Sequence, residues 1–354
     1  MINTQELKAA LTYLNIIIPR RSTMPILKYL KLKSYDDTLY ITASDSETDL
    51  TIAIPYSDEK MDICLPGNEL KSIIATVKEP FISMSKKKTY LHLTDGENVT
   101  KLKFMETDQF PVVNKMPQSF FIDGEIFQTV FKQAAASCVE KKAGLIMDGI
   151  NLSSKNGNFT VQGADGFKAS YIRMMLGTPD FDVVVPEIDT QILKLFSGKI
   201  EVGITQNHAS FYSKNFMYRS TLLAGNFPEI QRIIPQTHNT EITIEKALLA
   251  NAVQRALIFS RDNNSCITLA IADNKLSVQS GDSDYGQNSM SFDIEQTGDN
   301  ITTAVNGNIL KSFFPLTQTK IIAQFNMPTS PIVLRIPDNN TFTFMLMPMH
   351  LGRR

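Results

Sequence analysis

Apolar residues recur along this chain at helical spacing three times, each about a third of the chain after the last. Leu7, Ala10, Leu11 and Leu14 stand at i, i+3, i+4 and i+7; Phe127, Val130, Phe131 and Ala134 repeat the template, and Leu249, Ala252, Val253 and Ala256 repeat it again. Asn3 (with Glu6 placed for a capping box), Asp123 and Thr243 precede these stretches as N-cap candidates. A second helical pattern follows in each third, at Leu70-Lys71-Ser72-Ile73, Leu193-Lys194-Leu195-Phe196 and Leu310-Lys311-Ser312-Phe313. Together they predict helices over about residues 5–17, 68–78, 124–137, 187–199, 245–259 and 307–314.

Between the helices the apolar period falls to two. Asp36-Asp37, Asn156-Gly157 and Asp273-Asn274 separate alternating, β-branched runs, as hairpins require. Asp45, Asp165 and Asp282 sit at matching places after the hairpins, and the first two thirds close alike on METDQFP and LLAGNFP. Each third therefore reads as strand, helix, strands, helix, strands, with two helices covering one face of an antiparallel sheet. The expected class is α+β, in three tandem copies over 1–118, 119–237 and 238–354.

Composition narrows the function. At 354 residues, 43% hydrophobic and 20% charged, the chain is a folded protein too long for one ordinary core. It has no apolar run near the roughly 18 residues of a membrane span, and MINTQELKAALTYLN lacks a signal-peptide pattern, so a cytoplasmic, non-membrane protein is expected. Cys64, Cys138 and Cys266 are scattered, which argues against a disulfide framework or zinc site. His92, His208, His238 and His350 have no ligand spacing, and neither GxxxxGK[ST] nor GxGxxG is present. The residues point to no catalytic group, no metal and no cofactor. Asp45, Glu47 and Asp49 could bind a hard cation or be a solvated strand face; Lys86-Lys87-Lys88 could meet phosphate or form a hairpin turn. Met345, Met347 and Met349 suit either a core strand or a surface that accepts varied apolar partners.

Net charge is -1, from 35 Lys+Arg and 36 Asp+Glu, and gives no hint of a polyanionic partner. Its distribution does. In the predicted helices the acids Glu6, Glu69, Glu125, Glu187, Asp189 and Glu245 all lie in or beside first turns, where the helix dipole favours them. Beyond the first turns only bases remain, among Lys8, Lys71, Lys78, Lys132, Lys194, Lys199, Lys246, Arg255 and Lys311. One-signed helix bodies suggest an adjacent polyanion.

The early RRSTMPIL (Arg21 to Leu27 at its core), GADGFK, NFPEIQRIIP (Asn226 to Pro235) and the terminal MPMHL, in register with the threefold repeat, resemble the bacterial sliding clamp family over essentially the whole chain. This family is the beta subunit of DNA polymerase III. The resemblance implies a head-to-tail homodimeric ring around duplex DNA that tethers the replicative DNA polymerase, the clamp loader and other replication and repair proteins, without catalysis of its own. It places Arg21 on the duplex; with the helix bases Lys8, Lys71, Lys78, Lys132, Lys194, Lys199, Arg255 and Lys311 this makes the expected DNA surface. It implies a partner-peptide groove between the second and third repeats, from Met147, Ala164, Gly166, Phe167, Lys168, Ala169, Pro228, Arg232, Ile233, Pro331, Met345, Leu346, Met347, Pro348 and Met349. It sets Leu102 against Ile258 and Phe259 of the other subunit.

Several positions depart from the family pattern. Gly144-Leu145-Ile146 stands where the family can have Arg-Tyr-Tyr, with Lys141 and Lys142 as substitute DNA contacts. Phe167 replaces a His, Lys168 an Arg and His350 the penultimate Arg, and Gly352-Arg353-Arg354 extends past the usual end. Two other readings compete: a clamp-like scaffold that keeps the groove but closes no ring, and a metal-dependent hydrolase using Asp45, Glu47 and Asp49.

Overall fold

The computed structural model describes residues 1–111, 120–139 and 145–349. Lys141, Lys142, His350 and Gly352-Arg353-Arg354 lie outside the described residues, as does the expected boundary at 118.

One order of elements runs through the chain three times: strand, helix, three strands, strand, helix, three strands. The first pass is β1 (Ile2–Asn3), α1 (Thr4–Ile17), β2 (Tyr29–Tyr35), β3 (Thr38–Ser44), β4 (Thr48–Pro55), β5 (Asp62–Pro66), α2 (Gly67–Thr76), β6 (Phe81–Lys87), β7 (Tyr90–Asp95) and β8 (Asn98–Lys103). The second is β9 (Phe120–Asp123), α3 (Gly124–Ala135), β10 (Gly149–Lys155), β11 (Asn158–Ala164), β12 (Lys168–Met175), β13 (Phe181–Pro186), α4 (Thr190–Leu193), β14 (Lys199–Ile204), β15 (His208–Tyr212) and β16 (Phe216–Thr221). The third inserts one strand, β21: β17 (Thr240–Glu245), α5 (Lys246–Phe259), β18 (Cys266–Ala272), β19 (Lys275–Ser280), β20 (Ser289–Asp293), β21 (Glu295–Gly298), β22 (Ile301–Asn306), α6 (Gly307–Lys311), β23 (Lys320–Phe325), β24 (Ile332–Arg335) and β25 (Phe342–Leu346).

Two compact units divide the chain, Met1–Gln128 with Ile188–Leu222, and Thr129–Glu187 with Leu223–Arg354. The first holds a four-stranded sheet, β1-β6-β7-β8, and an eight-stranded one, β5-β2-β3-β4-β16-β15-β14-β9. The second holds a nine-stranded sheet, β13-β10-β11-β12-β25-β24-β23-β17-β21, and a four-stranded one, β20-β19-β18-β22. Each large sheet joins strands of two successive repeats at an antiparallel junction, β4 against β16 in one and β12 against β25 in the other.

The local chemistry explains these elements. Asp36-Asp37, Asn156-Gly157 and Asp273-Asn274 all take positive φ, as tight hairpins with right-handed strand twist demand. Asn3 accepts from the amides of Gln5 and Glu6, and Asp123 from that of Ile126, so both cap their helices as expected. Thr243 does not. It lies inside β17, whose pairing with β21 and β23 carries the strand past it, and α5 starts only after Glu245. The predicted helical faces are the observed ones: all twelve template residues are buried.

The second helices are shorter than expected. α4 covers Thr190–Leu193, after which Lys194, Leu195 and Phe196 donate to carbonyls three residues back. This tighter winding swings the fully buried Phe196 among Phe127, Phe211 and Phe216, with ring centroids 5.0–5.4 Å apart. α6 ends likewise so that Phe313 packs on Phe342 and Phe344. Burying such a ring contributes about 1.5–3 kcal/mol, more than the lost turn of helix costs. Among the described residues no helix is long and apolar enough to cross a membrane.

Candidate functional site

At the junction of β12 and β25, Ala169 pairs with Met345 and Lys168 with Leu346, while β24 pairs Val333 with Met345 and Ile332 with Leu346 from the other side. Ala169 and Met345 are both buried at this pairing. Ala164, Ala169, Ile230 and Met345 form one buried apolar cluster there, against which Tyr171, Phe227 and Ile234 pack half-buried. The segment delivering Ile230 is a single 3₁₀ turn, Ile230–Ile233, after Pro228, whose carbonyl accepts from the Ile230 amide.

The rim is built by a tight turn. Asp165 accepts from the amides of Phe167 and Lys168, both at 2.8 Å, and Gly166 takes φ +88, which a side chain would oppose. The turn thrusts Phe167 into solvent at 65% exposure, and its carbonyl accepts from the Met347 amide. Met347 and Ile233 are exposed at 38% and 54%. Three apolar side chains thus stand uncovered around a buried apolar floor, where a short peptide could seat one or two anchors.

The polar residues behave differently from the expectation. Lys168 turns inward: its ammonium donates to the Ala136 carbonyl at 2.6 Å, just beyond α3, and reaches Ser312 at 3.5 Å. It tethers a helix C-terminus. Arg232 is engaged by Glu229 on the same turn, with both exposed. Met147 and Pro331 are half-buried, Pro348 follows the sheet, and Met349 is fixed by its amide to the Ala304 carbonyl at 2.7 Å. Ile230, Tyr171 and Phe227 were not expected in the site. The apolar period of three from Phe227 through Ile230 to Ile233 is a signal for Phe227 and Ile230, and no such pattern marks Tyr171.

Of the expected DNA surface, Lys71, Lys132, Arg255 and Lys311 lie on helices, Lys78 and Lys194 just beyond helix ends, and Arg21 in the exposed loop after α1. Lys8 is on α1 and donates to the Val77 carbonyl at 2.7 Å. Lys199 is not helical. It begins β14, its ammonium 3.7 Å from the Phe121 ring centroid, on the sheet face away from the buried Ile200 and Val202. Leu102 is buried within β8, Ile258 is 55% exposed, and Phe259 is half-buried beside Gly286.

The acids are also accounted for. Asp45 holds a turn by accepting from Glu47 and Thr48, and Asp49 pairs with Arg219. Lys86 and Lys87 end β6, with Lys88 at φ +52 in the hairpin turn.

The architecture is that of known clamps. A Pseudomonas aeruginosa sliding clamp, solved bound to griselimycin, superposes with TM-score 0.93 at 20% identity, covering 99% of this chain and 98% of that one. The beta subunit from Streptococcus pyogenes DNA polymerase gives 0.92 at 21% identity, covering 99% of each. The chain therefore has the DNA clamp fold, three copies of a two-helix, antiparallel-sheet unit. In sequence it is 20% identical to the beta sliding clamp of Chlamydia muridarum over 99% of this chain and 98% of that protein. It is 21% identical to that of Bacillus subtilis over 94% of each. Residues 1–114 match the DNA polymerase III beta subunit N-terminal domain and residues 231–350 its C-terminal domain. The chain belongs to the DNA polymerase III beta subunit family. It is a DNA sliding clamp, an accessory subunit in DNA replication and not an enzyme.

Proposed function

We propose that two copies close head to tail into a ring around duplex DNA, through the free edges β8 and β20, and that the Ala169–Met345 groove takes peptide motifs of the polymerase, loader and repair proteins. One observation carries this reading. Within the chain, the third strand of a repeat's first half already pairs twice with the last strand of its neighbour's second half, as β4–β16 and β12–β25. By the same rule β20 calls for β8, and these strands are the outer edges of their sheets. No residue of β20 is buried, and Val99 of β8 is 51% exposed. Long exposed edges invite pairing unless something covers them. In a head-to-tail dimer β20 of each copy meets β8 of the other, so both edges are paired. Leu102 on β8 and Ile258 with Phe259 at the end of α5 are then the apolar contacts beside the new ladder.

This reading takes the repeats to be bounded near 118 and 237. Arg21, Lys71, Lys78, Lys132, Lys194, Arg255 and Lys311 supply sequence-independent phosphate attraction, which suits sliding, and the protein works in the cytoplasm. The test is topological. After loading, the protein stays on nicked circular DNA and runs off once the circle is cut; equal retention on both forms overturns the ring. Sedimentation at micromolar concentration gives a dimer, and a persistent monomer favours a scaffold that closes no ring.

A further inference from the structure

The eight-stranded sheet has a second face, covered at its β5 end by the 3₁₀ turn Pro25–Lys28, where Ile26 and Leu27 pack with Cys64 and Phe110. Period-two alternation sends Leu32, Ile41, Leu50 and Ile52 to the core and their neighbours outward. Outward, one register row crosses seven strands: Lys31, Thr42, Thr51, Met217, Tyr212, Glu201 and Phe121 pair in succession. The next row begins Lys33, Tyr40, Ala53. A cleft of about 870 Å³ lies over these rows, and Tyr35, Lys199 and Lys214 also line it.

We propose that this cleft binds single-stranded nucleic acid. Among its described lining residues are four lysines, Lys31, Lys33, Lys199 and Lys214, and a single acid, Glu201. Among the described residues no ion pair engages those lysines. Flat aromatic surface stands between them: Tyr35 is 67% exposed, Phe121 43% and Tyr40 37%. Lys199 lies over the Phe121 ring, so cation and π-face are offered together. Cations that meet phosphates, alternating with rings on which bases stack, are the two elements of sequence-tolerant single-strand binding. Duplex DNA hides its base faces and gains nothing from the rings. An acidic peptide would use the lysines alone, and the sheet interior offers it no free strand edge.

The experiment uses the full chain and a fluorescent oligothymidylate, read by anisotropy across a salt series. Lys33→Ala with Lys214→Ala weakens binding about tenfold and lowers the salt slope by about 1.4, two contacts at about 0.7 each. Tyr35→Ala weakens it severalfold with the slope unchanged, which separates stacking from charge. Lys33→Arg with Lys214→Arg restores affinity. Lys155→Ala with Lys275→Ala, at exposed strand positions outside the cleft, leaves it unchanged. Lys71→Ala with Lys132→Ala on the helices, or Met347→Ala in the groove, costs less than the sheet-face pair. The proposal is overturned if the sheet-face variants bind oligothymidylate normally, if the helix or groove variants weaken it equally, or if polyglutamate of equal charge competes as well as the oligonucleotide.

Discussion

The two sheet junctions share a backbone and differ in what fills it. At β4–β16, Asp49 faces Arg219; at β12–β25 the corresponding pair is Ala169 and Met345. Each follows a turn held by an aspartate, Asp45 or Asp165, that accepts two backbone amides. In the first junction the guanidinium reaches the carboxylate at 2.5 and 2.6 Å and shuts the position with a bridge 4% and 17% exposed on its acidic and basic sides. In the second the same place is apolar, and Ile230 packs into the same buried cluster. The proposed peptide site thus depends less on a special fold than on which of two equivalent seams lacks an ion pair.

That contrast can be broken by substitution. Asp49→Ala leaves Arg219 buried without its partner and destabilises the first unit by about 3 kcal/mol, measured by denaturant unfolding. Adding Arg219→Met copies the groove pair and recovers most of the loss. If the double variant is as unstable as the single one, the two seams are not interchangeable.

Met345→Ala opens a cavity in the second seam, with about 2–3 kcal/mol lost in stability and partner-peptide affinity reduced at least tenfold by titration. Truncation distinguishes floor from rim. Ending the chain after Leu346 removes Met347 and abolishes peptide binding with the dimer intact, whereas ending it after Phe344 also unfolds the seam, because Met345 and Leu346 pair on both sides. Phe167→Ala, at an exposed rim position, costs about 1 kcal/mol of peptide affinity and leaves the melting temperature unchanged. The smallest effect is that of Lys168→Thr, which installs the first seam's residue and loses the tether to the Ala136 carbonyl, about 1 kcal/mol of stability or less. A large loss of peptide binding there would show that the ammonium serves the groove after all.

Much of this was readable beforehand. The helical faces, the three hairpin turns and the caps at Asn3 and Asp123 depend on a few neighbouring residues, and each formed as its local chemistry dictates. Thr243 and the ends of α4 and α6 were misread where distant partners intervened: β21 and β23 extend β17 through the supposed cap, and the cores around Phe196 and Phe313 draw the chain out of helix. Lys199 lies on β14 rather than on a helix for the same reason, since α4 ends at Leu193. At the second seam Ala169 and Met345 share one buried cluster and the Phe167 carbonyl accepts from the Met347 amide, while Lys168 and Arg232 have partners of their own.

The sequence alone determined the repeat, the alternation of helix and hairpin within it, and the residues turned to the core. These follow from periodicity and turn chemistry acting over a handful of bonds. Only the tertiary structure decided which seam is sealed and which is open. Asp49 meets Arg219 across 170 residues and Ala169 meets Met345 across a similar stretch, and no local preference of either segment specifies what will lie opposite it.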